Sequence, residues 1–359
     1  MPNKSNEEAI NSIGLSKIVF PIIIGILVVA YFVLRKFKWS EFQSIPWTDY
    51  VYFWVGLSLL FLIIRHLAYA TRLWILSEKE FGWLKCIELI FIWEFSSAVS
   101  PTAVGGSAAA LFVLSQEKLP TARVTAIVLY TAVLDTIFFV FTLPLLLLMF
   151  GTHIIRPGLV GFSNLDYWGY SFLMAYVFMA MYGSVFFYGL FIKPEGLKRV
   201  VIWLTSFSLF KRWREKAIKL GDDFVIASSE MAGKGLALGL PAFLATAIAW
   251  SSRFILLNFL IIAFERNLSI DLWTQGALYS RLESMFVIMA FSPTPGSAGV
   301  AEILFNGFLS DYISNETSSS LIALIWRFFT YYAYIIIGAI IIPNWLRKVV
   351  KNKKKKSSQ

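Results

Sequence analysis

A polytopic, all-helical membrane protein is the fold class this sequence predicts, on three observations. Six apolar stretches, near residues 18–34, 48–64, 124–150, 167–192, 236–263 and 320–342, are each long enough to cross ~30 Å of hydrocarbon as a helix. Only 15% of the 359 residues are charged and 58% are hydrophobic, whereas an ordinary soluble domain carries about 25% charged residues. The positive charges gather in a few segments, as they do on the cytoplasmic side of bacterial-type membranes.

Taken in order, the stretch at 18–34 has no convincing small-residue cleavage site after it and reads as a retained first helix. The second span, 48–64, leads to residues 85–99, which carry Glu88 and Glu94 and run into Ser100-Pro101-Thr102; a second apolar piece follows at 107–114. Pieces of this length fall short of the hydrocarbon thickness at 1.5 Å per residue, so 85–115 reads as a helical hairpin that enters and leaves by one face. Spans 124–150 and 167–192 come next, then the basic stretch 193–235 with nine Lys or Arg. Its apolar residues, Val201 to Phe210, precede Lys211, Arg212 and Arg214, which suits either an interfacial helix on anionic inner-leaflet lipid or a packed connector. After the span 236–263, residues 276–310 form a second hairpin whose tip is Ser292-Pro293-Thr294-Pro295-Gly296. The last span, 320–342, precedes the basic tail 346–359.

Six spans plus two re-entrant hairpins is therefore the expectation; eight to ten crossings is the alternative. The segment 193–235 and the tail should be cytoplasmic, and the acidic loops 264–275 and 307–319 outside. Working back puts 65–85 and 115–123 inside and both termini in the cytoplasm, in an inner membrane. Ser-Pro-Thr recurs 192 positions apart, and the same offset carries Asp135 onto Arg327. The chain thus divides into half-repeats, 17–150 and 167–345. An odd number of spans between the two hairpins makes the halves opposite in orientation, as in alternating-access carriers.

Several chemistries are excluded. Cys86 is a lone cysteine and His66 and His153 are the only histidines, so neither an internal disulfide nor a His/Cys metal site is expected. Neither a P-loop nor a Gly-x-Ser-x-Gly elbow occurs, so no cofactor or hydrolytic site is expected, and the chain reads as a carrier rather than an enzyme. Charge placed beside spans argues against nucleic acid as a partner. The candidate site residues are the ionisable groups within helices, each costing roughly 2.5–3.5 kcal/mol to insert. They are Arg281, Arg327 and Arg253 for a phosphate, whose oxygens a guanidinium fork matches, with Glu302, Glu283 and Asp135 balancing or exchanging charge. Glu302 follows Gly299 at a helix start, where a carboxylate also serves as a cap. Hinges are expected at Ser100, Pro101, Thr102, Gly105 and Gly106, and at Pro293, Thr294, Pro295, Gly296 and Gly299.

Pro293-Thr294-Pro295-Gly296-Ser297-Ala298-Gly299-Val300-Ala301-Glu302 resembles the Pro-Gly-Gly-x-Gly-x-x-Glu signature of the lysylphosphatidylglycerol synthetase transmembrane, or flippase-like, family. Ala323-Leu324-Ile325-Trp326-Arg327-Phe328 is similar to its arginine-bearing last helix, and Val104-Gly105-Gly106-Ser107 with Asp135 to its other half. The resemblance covers roughly residues 50–345. It implies a membrane module that moves a lipid between leaflets, with a membrane lipid as its partner. Where the family's first motif continues with a glutamate and an arginine, this chain has Ala108, Ala109 and Ala110. It also offers no room for the aminoacyl-transferase domain of multidomain relatives, so lysyl transfer is not expected. The alternative reading is a membrane-embedded transferase or accessory subunit working with a separate lipid-modifying glycosyl- or aminoacyl-transferase.

Overall fold

The computed structural model describes residues 47–99, 102–117, 119–207, 214–292, 294–297 and 299–357, together with residues 40 and 43. The expected span at 18–34 and the hinge residues Ser100, Pro101 and Pro293 lie outside these. Every regular element among the described residues is helical.

Helix α1 (Asp49–Leu76) opens with an acidic residue against the positive end of its dipole and stops where Glu78 and Lys79 take positive φ, turning the chain into α2 (Trp83–Val99). Helix α3 (Thr102–Ser115) returns along α2, and α4 (Thr121–Phe150) ends at Gly151, whose φ of 79° supplies the left-handed stop. In α5 (Tyr167–Phe187, continued by a π turn to Ile192) the Asp166 side chain caps the start through Gly169 N–H. Two connectors follow, α6 (Pro194–Leu204) and α7 (Arg214–Gly233). Then come α8 (Gly235–Phe264), α9 (Leu272–Met289), α10 (Val300–Leu309), α11 (Glu316–Arg327), a π turn Phe328–Tyr332 and α12 (Ala333–Ser357). Caps at Asp271 and Asn315 start α9 and α11.

Five of these stretches are long and apolar enough to cross a membrane: Asp49–Leu76, Thr121–Phe150, Tyr167–Ile192, Gly235–Phe264 and Glu316–Val349. They coincide with five of the six apolar stretches. The chain is a multi-pass, all-helical membrane protein. Its most extensive helix pair is α1 with α8. Within its most apolar window α8 is 56% buried, against 22% for α5, so α8 is central and α5 peripheral.

Two boundaries differ from expectation. Helix α1 continues twelve residues past the apolar stretch, so Arg65, His66 and Arg72, expected in a loop, are helical and buried. The last helix likewise absorbs most of the basic tail. The connectors are packed: Phe224, Ala227 and Met231 of α7 join the core around α1 and α4, while Val200, Val201 and Trp203 of α6 stay exposed. Asp222 pairs with Lys198 and balances charge.

The two hairpin regions meet. The turn Pro295–Ser297, ahead of α10, packs on both α2 and α3, and Phe95 and Ala98 of α2 cluster with Tyr331 and Ile335. That junction encloses the polar site.

Candidate functional site

Between the hairpin regions lies a cavity of about 380 Å³, walled by α1, α2, α3, α4, α8, α9 and the Arg327–Tyr331 turn, and reaching Met179 and Tyr182 on α5. Its charged lining is Arg72, Glu94, Asp135, Arg253 and Arg327. Behind them Arg65 backs Glu94 and Glu302 backs Arg327.

Each pair follows from helix geometry. Arg65, Tyr69 and Arg72 sit at i, i+4 and i+7 on one face of α1, with both guanidinium carbons about 5 Å from the Tyr69 ring, at 5.1 and 4.8 Å. Arg65 is fully buried, gives Nη2 to Glu94 at 2.7 Å and gives Nη1 to the Tyr334 hydroxyl at 2.9 Å. Arg72 gives Nη1 to Asp135 at 2.5 Å, and the same carboxylate oxygen accepts from Trp250 Nε1 at 2.8 Å. Arg327 lies 3.1 Å by Nε from Glu302 Oε1, without hydrogen-bond alignment, and donates Nη1 to the Gly296 carbonyl at 2.8 Å. Glu302 meanwhile accepts from Gly299 N–H at 2.7 Å, so it is both a helix cap and an ion-pair partner.

Arg253 is different. Its guanidinium carbon lies 4.5 Å from the Phe286 ring centroid and 5.4 Å from that of Trp250, and it has no ion-pair or hydrogen-bond partner among the described residues. Four arginines (65, 72, 253, 327) therefore face three carboxylates (94, 135, 302), and the surplus positive charge sits on Arg253. Ring faces hold the guanidinium from the side and leave its N–H fork free for an anion.

Two expected residues are elsewhere. Arg281 is turned away from the cavity toward the loop after α10: it bonds both Asp311 oxygens, the Phe308 carbonyl and the His153 carbonyl. A carboxylate in the next loop lies within reach of its long side chain, and that pairing outcompetes a position in the cavity. Glu283 is fully buried where α9 meets α4, beside Thr142, and does not line the cavity. Asp135, Arg253 and Arg327 do line it, with Glu302 directly behind.

Of the expected hinge residues, Gly106, Thr294 and Gly296 line the cavity, and Ser292 Oγ and Thr294 Oγ1 share a hydrogen bond of 2.9 Å. Gly296 has φ of 56°, and a Cβ there would stand 2.1 Å from the Tyr331 ring. Thr102 and Gly105 fall inside α3, Pro295 starts the short turn before α10, and Gly299 precedes α10 with φ of 83°. Sequence reasoning missed Arg65 and Arg72 as site residues; the signal was their seven-residue spacing around Tyr69 at the end of an apolar helix.

These features define a class: a polytopic helical membrane protein enclosing a charged chamber among its helices. More particularly, the chain belongs to the family described as the lysylphosphatidylglycerol synthase TM region, whose model matches residues 18–338. It is also similar to a UPF0104 membrane protein of Archaeoglobus fulgidus, 26% identical over 358 residues, covering 92% of this chain and 99% of that protein. No solved structure matches.

Proposed function

We propose that this protein moves a phosphate-bearing lipid between leaflets, taking its headgroup into the cavity and leaving the acyl chains in the bilayer beside α5. One observation carries this reading: the uncompensated guanidinium of Arg253 in a chamber of headgroup size. A charge at that depth without a protein partner calls for an anion. Arg253 would take the phosphate as a bidentate fork, with Arg327 and Arg72 raising the local potential from their own pairs. The cavity's reach to Met179 and Tyr182 gives a headgroup a sideways route past the most peripheral span.

The half-repeats support alternating access. Shifting α1, α2 and α4 by the Ser-Pro-Thr spacing of 192 lays them over α8, α9 and the stretch from α11 into α12. Helix α10, with ten residues, reaches about 15 Å, half the hydrocarbon core, as a re-entrant arm would. On this reading the halves are inverted, both termini are cytoplasmic and the hinges flank Gly106 and Gly296. Anionic inner-leaflet lipid would dock on the exposed side of α6.

The test is transbilayer movement in vesicles holding the purified protein, using fluorescent phosphatidylglycerol against a fluorescent neutral diacylglycerol. Faster movement of the phosphate-bearing lipid alone is the expected result. No acceleration of any phospholipid by folded protein would overturn the reading.

A further inference from the structure

Away from the cavity, the carboxyl of Glu283 is wholly enclosed where α9 packs on α4. Its Oε2 has no hydrogen-bond partner, and its Oε1 meets a single group, Thr142 Oγ1. A threonine hydroxyl has one hydrogen, and Thr142 Oγ1 lies within bonding distance of two acceptors, the Phe138 carbonyl 2.7 Å away and Glu283 Oε1. The carboxyl is therefore left with at most one shared donor on Oε1 and none on Oε2, too little to hold a carboxylate away from water. None of the charged and titratable neighbours bonds to it among the described residues. On α9 itself, Tyr279 bonds Ser251 of α8 and Arg281 bonds the Asp311 loop and the carbonyl of His153. Asp135 of α4 is paired with Arg72, Arg253 of α8 lies over Phe286, Tyr176 of α5 bonds the Val140 carbonyl, and Glu302 of α10 is tied to Gly299 and Arg327. No cation forms an ion pair with Glu283 among the described residues.

Helix α4 lacks one backbone hydrogen bond close by, two residues after Thr142. Pro144 in α4 has no N–H for the Val140 carbonyl four residues earlier, and the Tyr176 hydroxyl of α5 donates to that carbonyl instead, at 3.1 Å. A buried, unpaired carboxyl thus lies between α9 and a helix that lacks one backbone hydrogen bond. Ionised, it would be an unpaired charge in a dry contact, which α4 and α9 would have to part to hydrate.

We infer that Glu283 is a proton-binding site that couples lipid movement to a proton gradient, with the neutral acid holding α4 on α9. The proton is taken from water on one side and given up to water on the other as that contact opens and closes. This rests on the lipid-moving reading above and adds its driving ion.

The experiment uses the full chain in phosphatidylcholine vesicles carrying a trace of fluorescent phosphatidylglycerol, with and without a pH difference across the membrane. Wild type should exchange the label between leaflets without a gradient, and should skew its distribution several-fold when one is imposed, the skew collapsing with a protonophore. Glu283→Gln copies the neutral acid and does not touch the cavity. It should exchange label at the wild-type rate and leave the distribution even under the gradient. Exchange by wild type that ignores the gradient, or a Gln variant that still follows it, overturns the coupling alone. Absence of any exchange by wild type overturns the lipid-moving reading itself, and the coupling with it. Infrared spectra supply a check that does not depend on transport. Wild type should show a protonated-carboxyl stretch at neutral pH that the Gln variant lacks, and a wild-type spectrum without it overturns the assignment.

Discussion

The two helix–turn–helix regions beside the cavity, α2–α3 and α9–α10, are held in different ways. In the second, the break is tied down locally: Arg327 donates to the Gly296 carbonyl, Glu302 caps Gly299, and the two side chains pair, each about 5% exposed. In the first, Ala108, Ala109 and Ala110 stand where that chemistry would be, and the described residues show no such tie. Here α1 supplies the cations instead: Arg65 takes Glu94 of α2 and Arg72 takes Asp135 of α4, and these carboxylates remain 23% and 29% exposed. The junction at Gly296 is thus latched and buried, while the carboxylates on α2 and α4 depend on α1 and stay partly exposed. Partly exposed carboxylates on α2 and α4 and the unpaired Arg253 of α8 line the same chamber, so its adaptable chemistry lies away from the Gly296 junction. The second hairpin supplies the frame.

The largest effect should come from breaking the latch. Arg327→Ala leaves Glu302 buried without its cation, a change that costs about 3–5 kcal/mol in buried pairs. Thermal unfolding in detergent should show a large drop, partly restored when Glu302→Gln is added. The matching change at the partly exposed pair, Arg72→Ala, should cost less, about 1–3 kcal/mol, because Asp135 keeps Trp250 Nε1 and contact with the cavity. Equal losses in the two variants would erase the distinction between the two ion pairs.

Glycine substitutions sharpen the comparison at the hinges. Gly296→Ala forces a side chain into left-handed φ and against the Tyr331 ring, and should destabilise by about 1–3 kcal/mol. In the first hairpin a Cβ on the helical Gly106 would meet the Ser97 hydroxyl at 2.5 Å. Gly106→Ala should cost about 1 kcal/mol and recover with Ser97→Ala. Unfolding midpoints of the three variants decide this.

The smallest effect lies at the start of α9. Hydrogen bonds from Thr274, Ser269 and Trp273 hold the exposed Asp271 carboxyl below the ordinary aspartate range. A folded-state pKa below the unfolded one adds stability above the ordinary range that disappears as pH falls through the lowered value. Wild type should therefore lose a small increment of stability in strong acid that Asp271→Ala lacks at every pH. Parallel acid-unfolding curves for the two proteins would contradict this.

Much of the architecture could be read from the chain, because hydropathy reports helix existence directly: five apolar stretches became five helices of spanning length. The end of α1 could not. A guanidinium at the edge of an apolar run looks like a loop charge until its partner is known, and Glu94 and Asp135 are 29 and 63 residues away. Arg281 and Arg327 look alike in sequence, each in an apolar helix of the second half. What separates them is Asp311, in the loop within reach of Arg281 alone, and the Gly296 carbonyl, in reach of Arg327. Arg253 was legible as a candidate, but its lack of a partner is a property of three-dimensional packing. Glu283 was legible as an intramembrane acid; its separation from the cavity was not.

The proposed role of Arg253, receiving the lipid phosphate with its surplus charge, is tested by comparing Arg253→Gln with Arg253→Lys in the vesicle assay. With folding matched to wild type by thermal unfolding, Gln should lower phosphatidylglycerol movement at least tenfold, while Lys, which keeps the charge and loses the fork, should retain an intermediate rate. Wild-type movement by Arg253→Gln would contradict the account.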